Sequence, residues 1–288
     1  MNSRKKPTFA PFIMGNRIIL LITFIGTFML GCNDFNRLQK STDLDKKYDA
    51  AVGYYNKEDY VKAQLIFDEL YSVLRSTEKA ENVAYYLAYC DYKMGDYIMA
   101  SYLFRNYFRT YPTSTRASEC LYMSAYCHYM VSPPWSLDQE DTYSAIDEFQ
   151  YFIQMFPTDT AHIHECNKLV DLLHKKLEKK AFMNAKMYYN IADYKAAITA
   201  FNLVLHDYPD THYREEAIFY TVEAKYYLAS NSVEAKQEER VNDAIKACSD
   251  FLLQFPISEY TSQIKNTQDR ALKLQDKILK NNKIRTNN

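Results

Sequence analysis

The side chains that could do chemistry in this chain are few, and their spacing works against catalysis. His162-Ile163-His164-Glu165-Cys166 brings together three kinds of metal donor. However, His162 and His164 are two apart at the start of a predicted helix, and such residues do not share a helix face. Beyond residue 32 the cysteines are Cys90, Cys120, Cys127, Cys166 and Cys248, at spacings that match no zinc pattern. Cys120 and Cys127 lie on one predicted helix about 10 Å apart, beyond disulfide reach. Buried thiols acting as small apolar side chains are expected. No nucleophile elbow, phosphate loop or zinc-helix motif is present. The chain reads as no enzyme, with no catalytic residue, no metal site and no cofactor.

What recurs instead is tyrosine, of which the chain has 27. Tyr48, Tyr85 and Tyr122 are spaced by 37 residues, and so are Tyr55, Tyr92 and Tyr129. Between them fall Val52, Tyr89 and Tyr126. Any one of these rings could simply pack against a neighbouring helix. As a group they read as a ladder lining a peptide-binding groove. Tyrosine gives large contact area at little entropic cost and keeps a hydroxyl for the backbone of an extended, aromatic-containing guest. Arg105 and Arg109 could add charge, although a solvated helix face accounts for them equally well.

A phased self-similarity supplies the elements that would hold such a ladder. Ala63 leads to Phe67, Ala100 to Phe104, Ala145 to Phe149, Ala197 to Phe201 and, in a weaker version, Ala244 to Cys248. Twelve residues after the last four alanines come Pro112, Pro157, Pro209 and Pro256, each preceded by an aromatic. Alanine lets a second helix approach, the aromatic one turn later fills the gap, and proline stops the helix. Asp59, Asp96, Asp141 and Asp193 stand where they can cap helix starts. Partner helices carry Ala51, Ala88 and Ala125, and later Ala185 and Ala224. Only two glycines remain after residue 31, which argues against turn-rich β architectures. The expected fold is all-α, a solenoid of about five helical hairpins.

The units are unequal. Residues 132–140 read as an inserted loop that holds the only tryptophan, Trp135. Residues 161–190 contain no helix breaker and read as one long helix of about 45 Å opening the fourth hairpin. A second loop, 229–239, is polar and expected to be mobile. Residues 259–280 are expected to form a capping helix, and 281–288 a disordered tail. On this reading 47–160 hold hairpins one to three, and 161–280 hold hairpins four and five with the cap.

The N-terminus reads as an address. Arg4, Lys5, Lys6 and Arg17 lead into an apolar run over 18–30, long enough for a signal peptide and too short to span a membrane. It ends in Met29-Leu30-Gly31-Cys32, which resembles the bacterial lipobox although Met29 stands where leucine is usual. The implied arrangement is a signal peptide over 1–31, then lipidated Cys32 and a linker to residue 46. A lipobox cysteine carries up to three chains, and at about 0.8 kcal/mol per buried methylene the attachment would be effectively permanent. Removing Arg4, Lys5, Lys6 and Arg17 leaves 31 basic against 36 acidic side chains, with signs interspersed. That balance gives no case for nucleic acid.

The alanine, aromatic and proline register resembles the tetratricopeptide repeat (TPR), without its tryptophan-led consensus. The whole mature chain, with its lipobox, five units, insertion in the third and long helix opening the fourth, resembles the BamD family of β-barrel assembly lipoproteins. The most specific stretches are Leu87-Ala88-Tyr89-Cys90-Asp91-Tyr92-Lys93-Met94-Gly95-Asp96, Phe108-Arg109-Thr110-Tyr111-Pro112-Thr113 and Asp207-Tyr208-Pro209-Asp210-Thr211. The resemblance implies an anchor in the periplasmic leaflet of the outer membrane. It further implies that unfolded outer-membrane barrel precursors are received on the first three hairpins, and that a BamA-like, POTRA-containing barrel protein docks on the last two. Two alternatives stand beside it: another periplasmic TPR adaptor lipoprotein serving cell-wall or division machinery, and a glycan-binding lipoprotein of the SusD type.

Overall fold

The computed structural model describes residues 35–75 and 77–286. The expected signal peptide and Cys32 lie outside the described residues. Among the described residues all regular structure is helical. After a short helix over residues 35–39 (α1) come α2 (Leu44–Asn56), α3 (Tyr60–Val73), α4 (Ala80–Met94), α5 (Tyr97–Thr110), α6 (Ala117–Val131) and α7 (Glu140–Met155). They are followed by α8 (Thr160–Asn190), α9 (Tyr194–Asp207), α10 (Arg214–Ser230), α11 (Glu234–Gln254) and α12 (Thr261–Thr286). No described helix is long and apolar enough to cross a membrane.

The repeat register is the packing register. All ten phased alanines (Ala51, Ala63, Ala88, Ala100, Ala125, Ala145, Ala185, Ala197, Ala224 and Ala244) have no exposed surface. Phe67, Phe104, Phe149, Phe201 and Cys248, one turn after the second alanine of each hairpin, are equally buried. The methyl-sized side chains let paired helices close, and the rings fill the space left one turn along. Pro112, Pro157, Pro209 and Pro256 each stand two residues beyond a second helix, after Tyr111, Phe156, Tyr208 and Phe255 have left helical geometry. The fold is an all-α, TPR-type solenoid of helical hairpins.

Local capping sets most of the starts. The carboxylates of Asp59, Asp96 and Asp193 accept the backbone N–H three residues on, at 3.3, 3.1 and 3.1 Å. Asp141 does not cap. α7 begins at Glu140, two residues earlier than its register implies, and Asp138 takes the N–H of Glu140 at 3.0 Å instead. The residue before each capping aspartate has positive φ: Glu58 at 61°, Gly95 at 84° and Ala192 at 62°. One turn geometry therefore serves three hairpins, and only one of them uses glycine.

The chain forms two compact units. The first runs to Val131 and includes Tyr151–Asp159. In it, α2 and α3 enclose Ala51, Ala63, Ile66, Phe67 and Leu70, while Ala88, Ala100, Phe104, Tyr107 and Cys127 fill the space from α4 to α6. The second holds Ser132–Gln150 and everything from Thr160 onward. Its clusters centre on Phe182 and Phe201, on Phe219 and Phe251, and on Val241 and Ala271.

Several boundaries differ from those expected. Residues 132–150, expected with the first three hairpins, belong to the second unit because lysines of α8 hold the inserted loop. Lys176 donates to Ser132 Oγ at 2.6 Å and to Pro133 O at 3.1 Å, and Lys180 bonds Leu137 O. Within the loop, Gln139 donates to the carbonyls of Pro134 and Leu137, both at 2.9 Å. The expected mobile loop at 229–239 is mostly helix. The run Glu234-Ala235-Lys236-Gln237-Glu238-Glu239 consists of strong helix formers, so α11 starts at Glu234 and only 231–233 connect. The capping helix continues through residues expected to fray, to Thr286, with Ile278 buried beside Ala229 and Val241. The first helix of the first hairpin begins at Leu44, three residues ahead of the expected boundary.

Candidate functional site

The tyrosine ladder sits on α2, α4 and α6, the first helices of three successive hairpins. Spacings of seven and 37 carry it from helix to helix at the same angular position. All eight residues (Tyr48, Tyr55, Tyr85, Tyr89, Tyr92, Tyr122, Tyr126 and Tyr129) are half-buried. Their rings form a connected series. Tyr85 lies 4.7 Å from Tyr89, Tyr89 6.2 Å from Tyr92, and Tyr92 6.5 Å from Tyr126. Tyr126 stacks on Tyr122 at 5.9 Å and leans on Tyr129 at 5.7 Å. Tyr48 and Tyr55 join through residues outside the ladder. Tyr55 meets Tyr86 at 5.0 Å, and Tyr48 meets Phe67 at 6.4 Å.

The inner edges of these rings touch the core. Tyr89 sits 4.9 Å from Phe104, and Tyr122 lies 5.9 Å from Phe152. The ladder therefore divides its surface between packing and solvent.

Two kinds of partner were not picked out by the sequence reading. Glu119, in the first turn of α6, accepts the hydroxyl of Tyr85 at 3.0 Å and that of Tyr89. Burial, followed by this carboxylate, pushes the Tyr85 phenol up to about 12. Tyr89 is raised further from the same two causes. Both phenols stay neutral at any physiological pH, and their protons are committed to Glu119. In the first turn of α4, Glu81 plays the same part for Tyr107 (2.7 Å) and Ser114 (2.6 Å), and these hydroxyls hold its carboxyl below the usual range.

The second kind is cationic. Arg116 lies 4.4 Å over the Tyr85 ring and donates to Asn82 at 2.7 Å. Lys79 lies 5.0 Å over Tyr48 and pairs with Asp45 at 2.7 Å. Lys79 and Arg116 are 37 apart, as are the tyrosines they cover. The repeat spacing was the signal that could have found them. Arg105 is engaged in the same way, 4.5 Å over Tyr151, while Arg109 is exposed. Each cation–π contact contributes roughly 0.5–1 kcal/mol at such sites. Together the ring edges and the two cations make a surface that can stack an aromatic side chain and meet an acceptor beside it.

The remaining candidates fall elsewhere. His162 and His164 lie in the first two turns of α8, and Glu165 beside them pairs with Lys168 at 3.6 Å. Cys90, Cys120, Cys127, Cys166 and Cys248 are all buried and unbridged. Burial raises the thiols of Cys90, Cys127 and Cys248 to about 12, far from a reactive thiolate.

No curated protein matches the chain in sequence. A solved structure, the TPR2AB-domain:pHSP90-complex of yeast Sti1, is similar at 15% identity and a TM-score of 0.38, covering 84% of this chain and 95% of that one. The family model described as YfiO, outer membrane lipoprotein, matches residues 40–241, well over half of the sequence. That match begins at the first hairpin and runs into α11, so it takes in the tyrosine ladder, the insertion and the long helix. The chain belongs to the YfiO family of outer membrane lipoproteins.

Proposed function

We propose that this chain is a non-enzymatic, BamD-like scaffold of the β-barrel assembly machinery. Cys32 carries its lipid and holds it in the periplasmic leaflet of the outer membrane. Unfolded barrel precursors bind along the tyrosine ladder of α2, α4 and α6. A BamA-like, POTRA-containing barrel protein docks on the hairpins built from α8 to α11. The observation that carries this reading is the family match over 40–241, which coincides with the hairpin array. The half-buried ladder supports the first binding role, because its ring faces and two stacked cations suit an extended segment that ends in an aromatic residue.

Cross-linking in intact cells followed by detergent purification tests the assignment. A POTRA-containing barrel protein should come down with the chain. Recovery with cell-wall or division enzymes and no barrel subunit would make it an adaptor of the other kind. Changing Tyr85, Tyr89 and Tyr126 together to Ala should weaken binding of an aromatic-ended barrel peptide at least tenfold while circular dichroism stays helical. A fall in helicity would instead mark these rings as core.

A further inference from the structure

The stretch between the expected anchor and the first hairpin is not a free linker from residue 35 onward. Leu38 is buried in the cluster of Ala51, Ile66 and Leu70, and the Phe35 ring meets Tyr54 edge-on at 5.8 Å. Lys47 is only 2% exposed. It donates to the carbonyl of Gln39, at the end of α1, at 2.7 Å and pairs with Glu69 at 2.5 Å. A buried ammonium needs such partners, and here they fasten α1 to α2 and α3. Cys32 lies three residues before Phe35, a reach of at most about 11 Å. Whatever Cys32 carries is therefore held close to the first hairpin.

Beside this fastening lies a concave pocket of about 520 Å³ lined by Arg37, Leu38, Ser41, Lys46 and Tyr54. Two nearby acids already have cationic partners, Asp45 with Lys79 and Glu69 with Lys47, and a third, Asp43, caps α2 by accepting the backbone N–H of Lys46 at 3.0 Å. Among the described residues, neither Arg37 nor Lys46 has a carboxylate partner. Ser41 Oγ accepts the N–H of Asp43 at 3.2 Å, which leaves its own proton to donate. Two cations and a hydroxyl donor thus converge on one cavity, in a chain whose mature net charge is negative.

We propose that this pocket binds the phosphate of a phospholipid headgroup and so seats the first hairpin on the bilayer surface beside the acyl anchor. The assignment rests on the reading of Cys32 as lipidated. The short tether is what favours a lipid over free phosphate, because it keeps headgroups at high effective concentration next to Arg37 and Lys46. A guanidinium and an ammonium suit a phosphodiester through charge-assisted hydrogen bonds.

The test uses the full mature protein, purified from membranes and reconstituted in phosphatidylcholine vesicles with and without phosphatidylglycerol bearing a photoreactive headgroup. Illumination should label the peptide spanning residues 35–54. Replacing both exposed cations, Arg37→Gln with Lys46→Gln, should cut that labelling roughly twenty-five-fold, about fivefold for each charge, with the protein still on the vesicles. Unchanged labelling in the double variant, or labelling spread over other helices, overturns the proposal. So does loss of labelling when millimolar inorganic phosphate is added, which would make this a free-phosphate site. If the wild-type protein leaves pure phosphatidylcholine vesicles, the Cys32 reading fails. Labelling on the phosphatidylglycerol vesicles still decides the pocket.

Discussion

Three hairpin turns use the same left-handed position, and only Gly95 suits it by chemistry. Glu58 and Ala192 hold φ of 61° and 62° with a Cβ attached. That geometry costs an L-residue roughly 1–2 kcal/mol. Glycine removes the cost but gives back about 0.4–1 kcal/mol through the freedom of the unfolded chain. Ala192→Gly should therefore stabilise its hairpin by about 0.5–1 kcal/mol. Gly95→Ala should cost a similar amount through φ alone, since a Cβ there meets nothing within 4 Å. Native-state hydrogen exchange reads the local effect, which matters because hairpin arrays need not unfold in one step. Amides early in α9 should exchange about two- to fivefold more slowly in Ala192→Gly, and those early in α5 correspondingly faster in Gly95→Ala. Faster exchange in the first variant, or slower in the second, would refute the idea that turn strain at this position limits local stability.

Further outcomes follow from the buried polar groups. Asp91 is buried, takes a single side-chain bond, from Gln64 at 2.8 Å, and burial raises its pKa. Stability should fall as pH rises from near the unfolded value of about 3.9 through the higher folded one, and Asp91→Asn should raise the melting temperature at pH 7 and flatten that dependence. Glu81 behaves oppositely. Its lowered pKa means that its contribution, present above about pH 4.3, is lost as pH falls through the folded value, and Glu81→Gln should cost about 1 kcal/mol at pH 7 by chemical denaturation. Asp193→Ala removes the cap on Ala196 and should cost about 1 kcal/mol, read as faster exchange in the first turn of α9.

Much of this molecule is written locally. Helix ends depend on a capping carboxylate, a proline or an alanine phase, all within one or two turns of the residue they affect. That is why four prolines and ten alanines marked the hairpins correctly. Asp141 misled because the cap in the third hairpin sits at Asp138, in a loop whose length breaks the register. The polar run after Val233 misled because charge was read as loop, although those residue types favour helix when tertiary contacts allow it.

The candidate site was half legible. The spacing of 37 anticipated that the tyrosines take the same position on α2, α4 and α6, because equal spacing places equal side chains on equal faces. Their partners are another matter. Glu119 reaches Tyr85 across 34 residues, Lys47 reaches Glu69 across 22, and Lys176 holds Ser132 across 44. The sequence by itself determined the hairpins, their order and which rings face one way, since these follow from periodicity and steric rules that act over a few residues. Only the tertiary structure decided which hydroxyls are already satisfied, that the insertion is strapped to α8, and that α1 is fastened to the first hairpin. Those outcomes depend on charges and carbonyls brought together from distant points of the chain, where no local pattern records the meeting.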